Sequence, residues 1–204
     1  MKNEIIIAKV EAYIYKMFHS DATGHDYYHM KRVAKMAKYL AEQEHGDVLL
    51  CELAGWVHDV ADDKLTKDPE KAIIELKLFL ASISLSDDQI NTIVEIISTV
   101  SFRKGQDPKS LAGKIVQDAD RLDAIGAMGI ARAFAYGGNK NRPIHSEDEQ
   151  QKQHATIQHF DDKLLLIKDK IKTPTAKRIA IERHTYMEHF LSIFYNEWNS
   201  DAYY

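Results

Sequence analysis

A chain of 204 residues, 45% of them hydrophobic, is long enough for one domain with a proper core, or at most a core and a small annex. The formal net charge of -4 argues against a protein that binds duplex nucleic acid, because such proteins are usually basic. With one cysteine, no apolar leader and no run of ~18 apolar residues, we expect a cytoplasmic protein without an internal disulfide or a membrane span.

Apolar side chains recur at helical spacing through the first hundred residues and show no strand alternation. The spacing predicts three amphipathic helices, with His29 on the apolar face of the second helix and His58 at the end of the third. A capping box of Ser86 and Gln89 predicts the start of a further helix. The predicted apolar faces are Ile6, Val10, Tyr13 and Met17 on the first helix, His29, Val33, Met36 and Leu40 on the second, and Leu50, Leu53, Ala54 and Val57 on the third.

Helical periodicity continues through the second half of the chain. It predicts a long helix over about residues 109–135, in which the small residues Gly126 and Gly129 allow close helix packing. A second helix is predicted around residues 157–167. Thr173 followed by a proline predicts the N-terminus of the last helix, because proline suits the first helical position.

The one long stretch without periodicity covers residues 136–150. A loop of this length in a compact domain is often a lid or a binding loop, and an ordinary surface segment is the alternative. Because no strand pattern occurs elsewhere, we expect a single all-α domain, a helical bundle over residues 1–204.

Four scattered residues have side chains that bind divalent cations: His29, His58, Asp59 and one aspartate of the cluster at residues 118–123. The apolar sequence before His58 implies that the histidine and the following aspartate are buried, and a buried carboxylate needs a partner or a metal ion. Asp120 is the best candidate of the cluster, because it lies near the packed face of its helix. Two nitrogen and two oxygen ligands suit one Mn²⁺ ion, with Mg²⁺, Fe²⁺ and Ni²⁺ as alternatives.

These residues lie in motifs that resemble those of the HD superfamily of metal-dependent phosphohydrolases. The segment GHDYYHMKRV resembles the opening H-x-x-R-V signature, and WVHDVADD resembles the HD doublet. VQDADRLDAIGA resembles the closing A-D-x-L element, which selects Asp120 over Asp118 as the ligand. The resemblance covers nearly the whole chain and implies an HD-domain helical bundle. The chain also looks like one bacterial subgroup of small, single-domain HD proteins, whose better-understood relatives include nucleotide phosphohydrolases and pyrophosphohydrolases.

The resemblance implies a reaction and residue roles. Water would attack a phosphoanhydride bond of an NTP or dNTP, with a small anionic nucleotide as the substrate. Asp62 stands where several HD hydrolases place an acidic residue that orients or deprotonates the water, and Asp63 is a second candidate. An ordinary charged helix end is the alternative for both. The candidates for binding phosphate lie near a motif or on family-like segments, and they are Arg32, Lys64, Arg121, Lys163 and His159.

Several alternatives stay open at this level. The dipeptide His25-Asp26 is a second HD pair, but no apolar run precedes it. We therefore expect it beside the metal site or near the substrate, and not as a metal ligand. The alternative is that Asp26 is the N-cap of a helix. His145, His184 and His189 are interpreted as surface residues. A phosphomonoesterase acting on nucleoside monophosphates and a non-catalytic nucleotide sensor are the rival functions. Monomer and homodimer are both compatible with the sequence.

Overall fold

The computed structural model describes residues 2–19, 25–62, 65–100 and 107–200, and no strand occurs in these ranges. The predicted all-α fold is therefore confirmed, and no helix in these ranges is long and apolar enough to cross a membrane. The α-helices are α1 (Asn3–Phe18), α2 (Tyr27–Gln43), α3 (Val48–Val57), α4 (Pro69–Ser82), α5 (Asp87–Val100), α6 (Leu111–Asp123), α7 (Gly126–Asn139), α8 (Glu149–Lys152) and α9 (Pro174–Asn199).

The chain divides into two compact units, Met1–Asp120 and Arg121–Tyr204. The first unit contains α1 to α5 and most of α6, and the second contains the end of α6 and α7 to α9. The expected single domain over residues 1–204 stays a prediction.

In the first unit, α2 and α3 pack against each other more extensively than other helix pairs of its described residues. Their approach is close at Gly55, where a Cβ atom would lie 2.8 Å from the Cα atom of Ala34 and 3.3 Å from the Cβ atom of Ala37. Real Cβ atoms essentially never lie within 3.0 Å of a non-bonded atom. Only glycine therefore allows this separation, which sets the N-terminal turn of α2 beside the C-terminal end of α3.

Side chains cap the N-termini of several helices in the first unit and so fix the backbone of the first turn of each of these helices. The Asp26 Oδ1 atom accepts a hydrogen bond from the His29 amide at 2.7 Å, and Asp47 caps α3 in the same way. The predicted capping box is confirmed, because the Ser86 amide donates to Gln89 Oε1 at 3.0 Å and the Gln89 amide donates to Ser86 Oγ at 3.3 Å.

The buried face of α1 differs from the prediction near its C-terminal end. Ile6 and Val10 are buried as expected, but Met17 is 43% exposed and the buried positions continue with Ile14 and Phe18. The buried residues of α1 are therefore spaced by four throughout, whereas the prediction placed a step of three residues between Val10 and Tyr13.

The predicted helix over residues 109–135 is wrong, because the chain forms two helices, α6 and α7. The break lies at Gly126, whose φ of 76° is in the left-handed region that glycine adopts at little cost. A Cβ atom at Gly126 would also lie 2.9 Å from the Cγ atom of Arg183 on α9. Helical periodicity does not reveal the break, because the small and apolar residues continue at similar spacing on both sides.

The predicted loop over residues 136–150 is shorter in the structure. Both α7 and α8 extend into it, so residues 140–148 are its irregular part. The Thr156 amide donates a hydrogen bond to the Pro143 carbonyl at 2.8 Å, which ties this loop to the segment that follows α8. Its role as a lid stays a prediction.

The segment predicted as a helix around residues 157–167 is not a regular α-helix. Residues Phe160–Leu164 form a π-helical turn, and Lys168–Lys170 form a short 3₁₀ turn. The apolar side chains of this segment are buried as expected, so the periodicity identified the buried face but not the type of helix. These buried side chains are Ile157, Phe160, Leu164 and Ile167.

The last helix, α9, begins with a proline at its first position, as predicted. The interpretation of His184 as a surface residue was wrong, whereas His189 is exposed and His145 is half-buried. His184 is 8% exposed and its Nε2 atom lies 3.2 Å from a carboxylate oxygen of Glu188. The ring of His145 packs edge-on against Trp198, with centroids 4.8 Å apart.

We expect the substitution Gly55→Ala to lower the free energy of unfolding by about 1–3 kcal/mol, because the methyl group meets backbone atoms of α2. Gly138→Ala is the matched control, since its Cβ atom would meet nothing within 4 Å and alanine suits a helix. Urea unfolding of both variants would measure the difference. A Gly55→Ala protein as stable as the wild type would contradict the close packing of α2 and α3.

Candidate metal centre

His58 caps the C-terminal end of α3 and is buried at 5% exposure. Its Nδ1 atom donates a hydrogen bond to the Gly55 carbonyl at 2.8 Å, because a carbonyl oxygen can only accept. The neutral ring therefore carries its hydrogen on Nδ1 and keeps a lone pair on Nε2. This is the arrangement in which a histidine binds a metal ion through Nε2.

His29 lies in the first turn of α2 and is fully buried. Its Nε2 atom lies 3.2 Å from the Nε2 atom of His58. Two ring nitrogens at this distance repel each other unless a hydrogen or a cation lies between them. Because the neutral His58 ring keeps a lone pair on Nε2, either a hydrogen on His29 Nε2 or a bound cation can fill this position.

Two carboxylates complete the cluster. The Asp59 Oδ2 atom lies 3.5 Å from His29 Nε2 and 3.3 Å from His58 Nε2. The Asp120 Oδ1 atom, on α6, lies 3.5 Å and 3.7 Å from the same two nitrogens. The structure thus brings together the four side chains that the sequence singled out, all of them in the first unit.

The carboxylates stabilise positive charge on His58. Burial favours the neutral ring of His58, but the negative charges of Asp59 and Asp120 outweigh burial and raise the pKa of His58 to about 9. Burial alone would raise the pKa of Asp59, but the three histidine rings around it hold that pKa well below its usual range. A divalent cation would compete with protons for these positions, as is general for histidine ligands.

The donor set fits a borderline to hard divalent ion, because it offers two imidazole nitrogens and two carboxylate oxygens and no thiolate. The free cysteine of the same unit, Cys51, is fully buried, and burial raises its pKa to about 12. The side chain of Asp120 is 26% exposed, so one side of the cluster can be reached by water or by a substrate. A site with room for such an exchangeable ligand is typical of catalytic rather than structural metal centres.

The aspartates beside Asp120 on α6 have other surroundings. Both Asp118 and Asp123 are buried. Asp123 accepts a hydrogen bond from Arg132 Nη1 at 2.8 Å within the second unit. Among the described aspartates of α6, Asp120 is therefore the one that lies in the histidine cluster.

Asp62 lies on the turn that follows the doublet. Its amide donates a hydrogen bond to the Asp59 carbonyl at 3.0 Å, which ties the backbone of Asp62 to a residue of the cluster. Asp63 and Lys64, two further candidates from the sequence, lie outside the described residues.

The other candidates for phosphate binding lie in both units. Arg32 is half-buried on α2, three residues after His29. In the second unit, Arg121 Nη1 donates a hydrogen bond to the Lys170 carbonyl at 2.5 Å. The guanidinium of Arg121 therefore also has a structural contact within that unit.

His159 and Lys163 lie at the π-helical turn of the second unit. Burial lowers the pKa of His159, and the positive charges of Lys163 and Arg142 lower it further. Arg142 therefore belongs to the same positive region. Its guanidinium also lies 5.6 Å from the ring centre of Tyr136.

The second HD dipeptide lies beside the cluster, as expected. Asp26 is the N-cap of α2, so this alternative is confirmed. The His25 Nδ1 atom lies 2.7 Å from Asp59 Oδ2, on a side chain that is 26% exposed. The sequence motif placed His25 near the site without indicating its contact with Asp59, although the spacing of four residues between His25 and His29 is a signal for that proximity.

Comparisons with known proteins show which family and which solved structures this chain is similar to. A family model for the HD domain matches residues 26–125. The uncharacterized protein YpgQ of Bacillus subtilis is 36% identical over 187 residues, which cover 90% of this chain and 89% of YpgQ. The crystal structure of YpgQ in complex with ADP matches with a TM-score of 0.81 and 34% identity, over 94% of this chain and 97% of that one. An HD-superfamily hydrolase from Bacillus thuringiensis matches with a TM-score of 0.83 and 39% identity, over 97% and 99% of the two chains.

Losing a residue that hydrogen-bonds to a metal ligand typically weakens metal binding by ~10–100-fold. We expect Asp120→Asn to weaken Mn²⁺ binding by more than this, because Asp120 is itself a proposed ligand. Asp123→Asn is the matched control on the same helix. It should leave Mn²⁺ affinity unchanged but lower the free energy of unfolding by about 1.5–3 kcal/mol, because it weakens a buried charged hydrogen bond to Arg132. Calorimetric titration with Mn²⁺ and urea unfolding would test both variants. Equal Mn²⁺ affinities for the two would contradict the assignment of Asp120.

Proposed function

Because the chain belongs to the HD superfamily, we propose that it is a divalent-metal-dependent phosphohydrolase that cleaves a phosphoanhydride bond of nucleoside triphosphates or dNTPs. The observation that carries this proposal is the convergence of two histidine nitrogens, 3.2 Å apart, with two carboxylate oxygens in a buried cluster. A cluster of this composition at the HD doublet, in a chain with the fold of HD-superfamily hydrolases, supports hydrolysis rather than a purely structural role.

In this proposal His29, His58, Asp59 and Asp120 hold one divalent ion, with Mn²⁺ as the first choice. Mg²⁺, Fe²⁺ and Ni²⁺ suit the same donors. When bound, such an ion polarises the phosphoryl group and makes water a stronger nucleophile near neutral pH. The hydrogen bond from His58 Nδ1 to the Gly55 carbonyl keeps Nε2 turned toward the other donors.

A nucleotide is the proposed substrate class. The relative YpgQ has been crystallised with ADP, a molecule that contains a phosphoanhydride bond. The resemblance to small HD pyrophosphohydrolases leads us to propose pyrophosphate as the product. We also propose a reducing, cytoplasmic setting, as the single cysteine suggested.

Asp62 is the proposed group that orients the attacking water or removes its proton. Its backbone is hydrogen-bonded to Asp59, so its position is linked to that of a proposed metal ligand. Asp63 stays the second candidate for this role, on its sequence position alone. General-base assistance contributes about 10²–10⁴-fold in rate, which makes the role measurable.

Cationic side chains are proposed to bind the phosphate groups, because a polyphosphate tail in a chain of net charge -4 needs local positive charge. For the arginines and lysines, their charge rather than a distance to the proposed metal ligands is the basis for this role. His159, whose pKa is lowered, is proposed as a neutral hydrogen-bonding group. The positive region at the π-helical turn of the second unit supports the choice of two of them. The proposed residues are Arg32, Lys64, Arg121, Lys163 and His159.

A hydrolysis panel would test the function. We expect the wild type with Mn²⁺ to release pyrophosphate from at least one NTP or dNTP, and the His58→Ala protein to release none above background. Products would be separated by anion-exchange chromatography. Phosphate released from nucleoside monophosphates alone would indicate a phosphomonoesterase instead. Nucleotide binding without turnover, by protein that holds Mn²⁺, would indicate a sensor.

We expect Asp62→Asn to lower kcat by about 10²–10⁴-fold while Mn²⁺ affinity stays close to that of the wild type, because the amide keeps the shape but cannot accept the proton. Asp68→Asn is the control: the Asp68 carboxylate caps α4, and asparagine caps a helix equally well. Steady-state kinetics and Mn²⁺ titration would be measured on both proteins. Parallel loss of Mn²⁺ and activity in Asp62→Asn would instead make Asp62 a metal ligand.

A further inference from the structure

A histidine outside the four proposed ligands contacts one of them. His25 Nδ1 lies 2.7 Å from Asp59 Oδ2, although the two residues are 34 positions apart. His25 stands just before α2, and its ring meets that of His29 edge-on, with centroids 5.4 Å apart. The Asp26 side chain fixes the same turn by capping the His29 amide. The placement of His25 is therefore determined by the helix start as well as by Asp59.

The direction of this hydrogen bond follows from its partners. An ionised carboxylate has only acceptor atoms, so the hydrogen lies on His25 Nδ1, which donates to Asp59. Hydrogen bonds to a charged acceptor are short and comparatively strong, and 2.7 Å is within that range. The same nitrogen cannot bind a cation while it carries this hydrogen.

The oxygen that accepts this bond is the one directed at the cluster. Asp59 Oδ2 lies within 3.5 Å of the Nε2 atoms of both His29 and His58. A donor at this oxygen restricts the rotation of the carboxylate and holds Oδ2 toward the two nitrogens. Without it, a carboxylate at the end of α3 could turn its second oxygen toward them or move away.

We propose that His25 is a positioning residue that orients Asp59 for cation binding, an inference that rests on the metal site of the proposed function. The alternative is a fifth ligand. The ligand atoms of His25, His29 and Asp59 lie within 4.8 Å of one another, so the geometry alone allows it. The two roles differ in what a substitute side chain must supply, which is a hydrogen-bond donor in one and a ligand atom in the other.

Three substitutions separate these roles. His25→Asn keeps an N–H donor on the atom that replaces Nδ1, because both nitrogens are bonded to Cγ. His25→Gln moves the donor one bond further, and His25→Ala removes it. We expect the alanine and glutamine variants to bind Mn²⁺ about 10–100-fold more weakly, the usual cost of losing an outer partner of a metal ligand, and the asparagine variant to stay close to the wild type.

Mn²⁺ affinity would be measured from the electron paramagnetic resonance signal of free Mn²⁺, and Co²⁺ absorption would report the ligand set. Rescue by asparagine with an unchanged Co²⁺ spectrum supports positioning. Equal affinity in all three variants overturns it, and so does an asparagine variant as weak as alanine with a shifted Co²⁺ spectrum. If the affinities follow the expected order but the wild type hydrolyses no nucleotide, the positioning role stands and the proposed function fails.

Discussion

The close approach of α2 and α3 at Gly55 is the constraint on which the candidate site depends. Because Gly55 lacks a side chain, the backbone of α2 can lie next to it, and the helix start that carries His29 meets the helix end that carries His58. The same residue has a second effect. Its carbonyl accepts the hydrogen of His58 Nδ1 and so directs Nε2 toward His29. One glycine therefore sets both the separation of the helices and the orientation of a proposed ligand.

The site also concentrates buried charge, which is unfavourable unless the charges balance. In the first unit Asp59 and His58 stabilise each other's charge, so the pKa of Asp59 is held low and that of His58 is raised to about 9. Such a cluster contributes little to stability by itself, because desolvation offsets much of the attraction between buried charges. Its arrangement is better explained by a cation-binding role than by a structural one.

Local patterns predicted the helices well where the backbone is regular. The stripes on α2 and α3, the capping box at Ser86 and the proline that begins α9 follow from side-chain periodicity and from backbone donors and acceptors near helix ends. The predictions were wrong where the backbone changes without a change in pattern. At Gly126 a positive φ breaks the helix, and at residues Phe160–Leu164 a π-helical turn buries the same apolar face that an α-helix would.

The sequence by itself determined the all-α class and the residue types at the four proposed ligand positions, because helical periodicity and the H…HD…D pattern are properties of the chain alone. Only the tertiary structure decided that Asp123 pairs with Arg132 and that His25 donates to the oxygen of Asp59 directed at the cluster. Each of these contacts depends on the separation and rotation of packed helices. Residues 34 positions apart meet through that packing, and no local spacing encodes the distance between them.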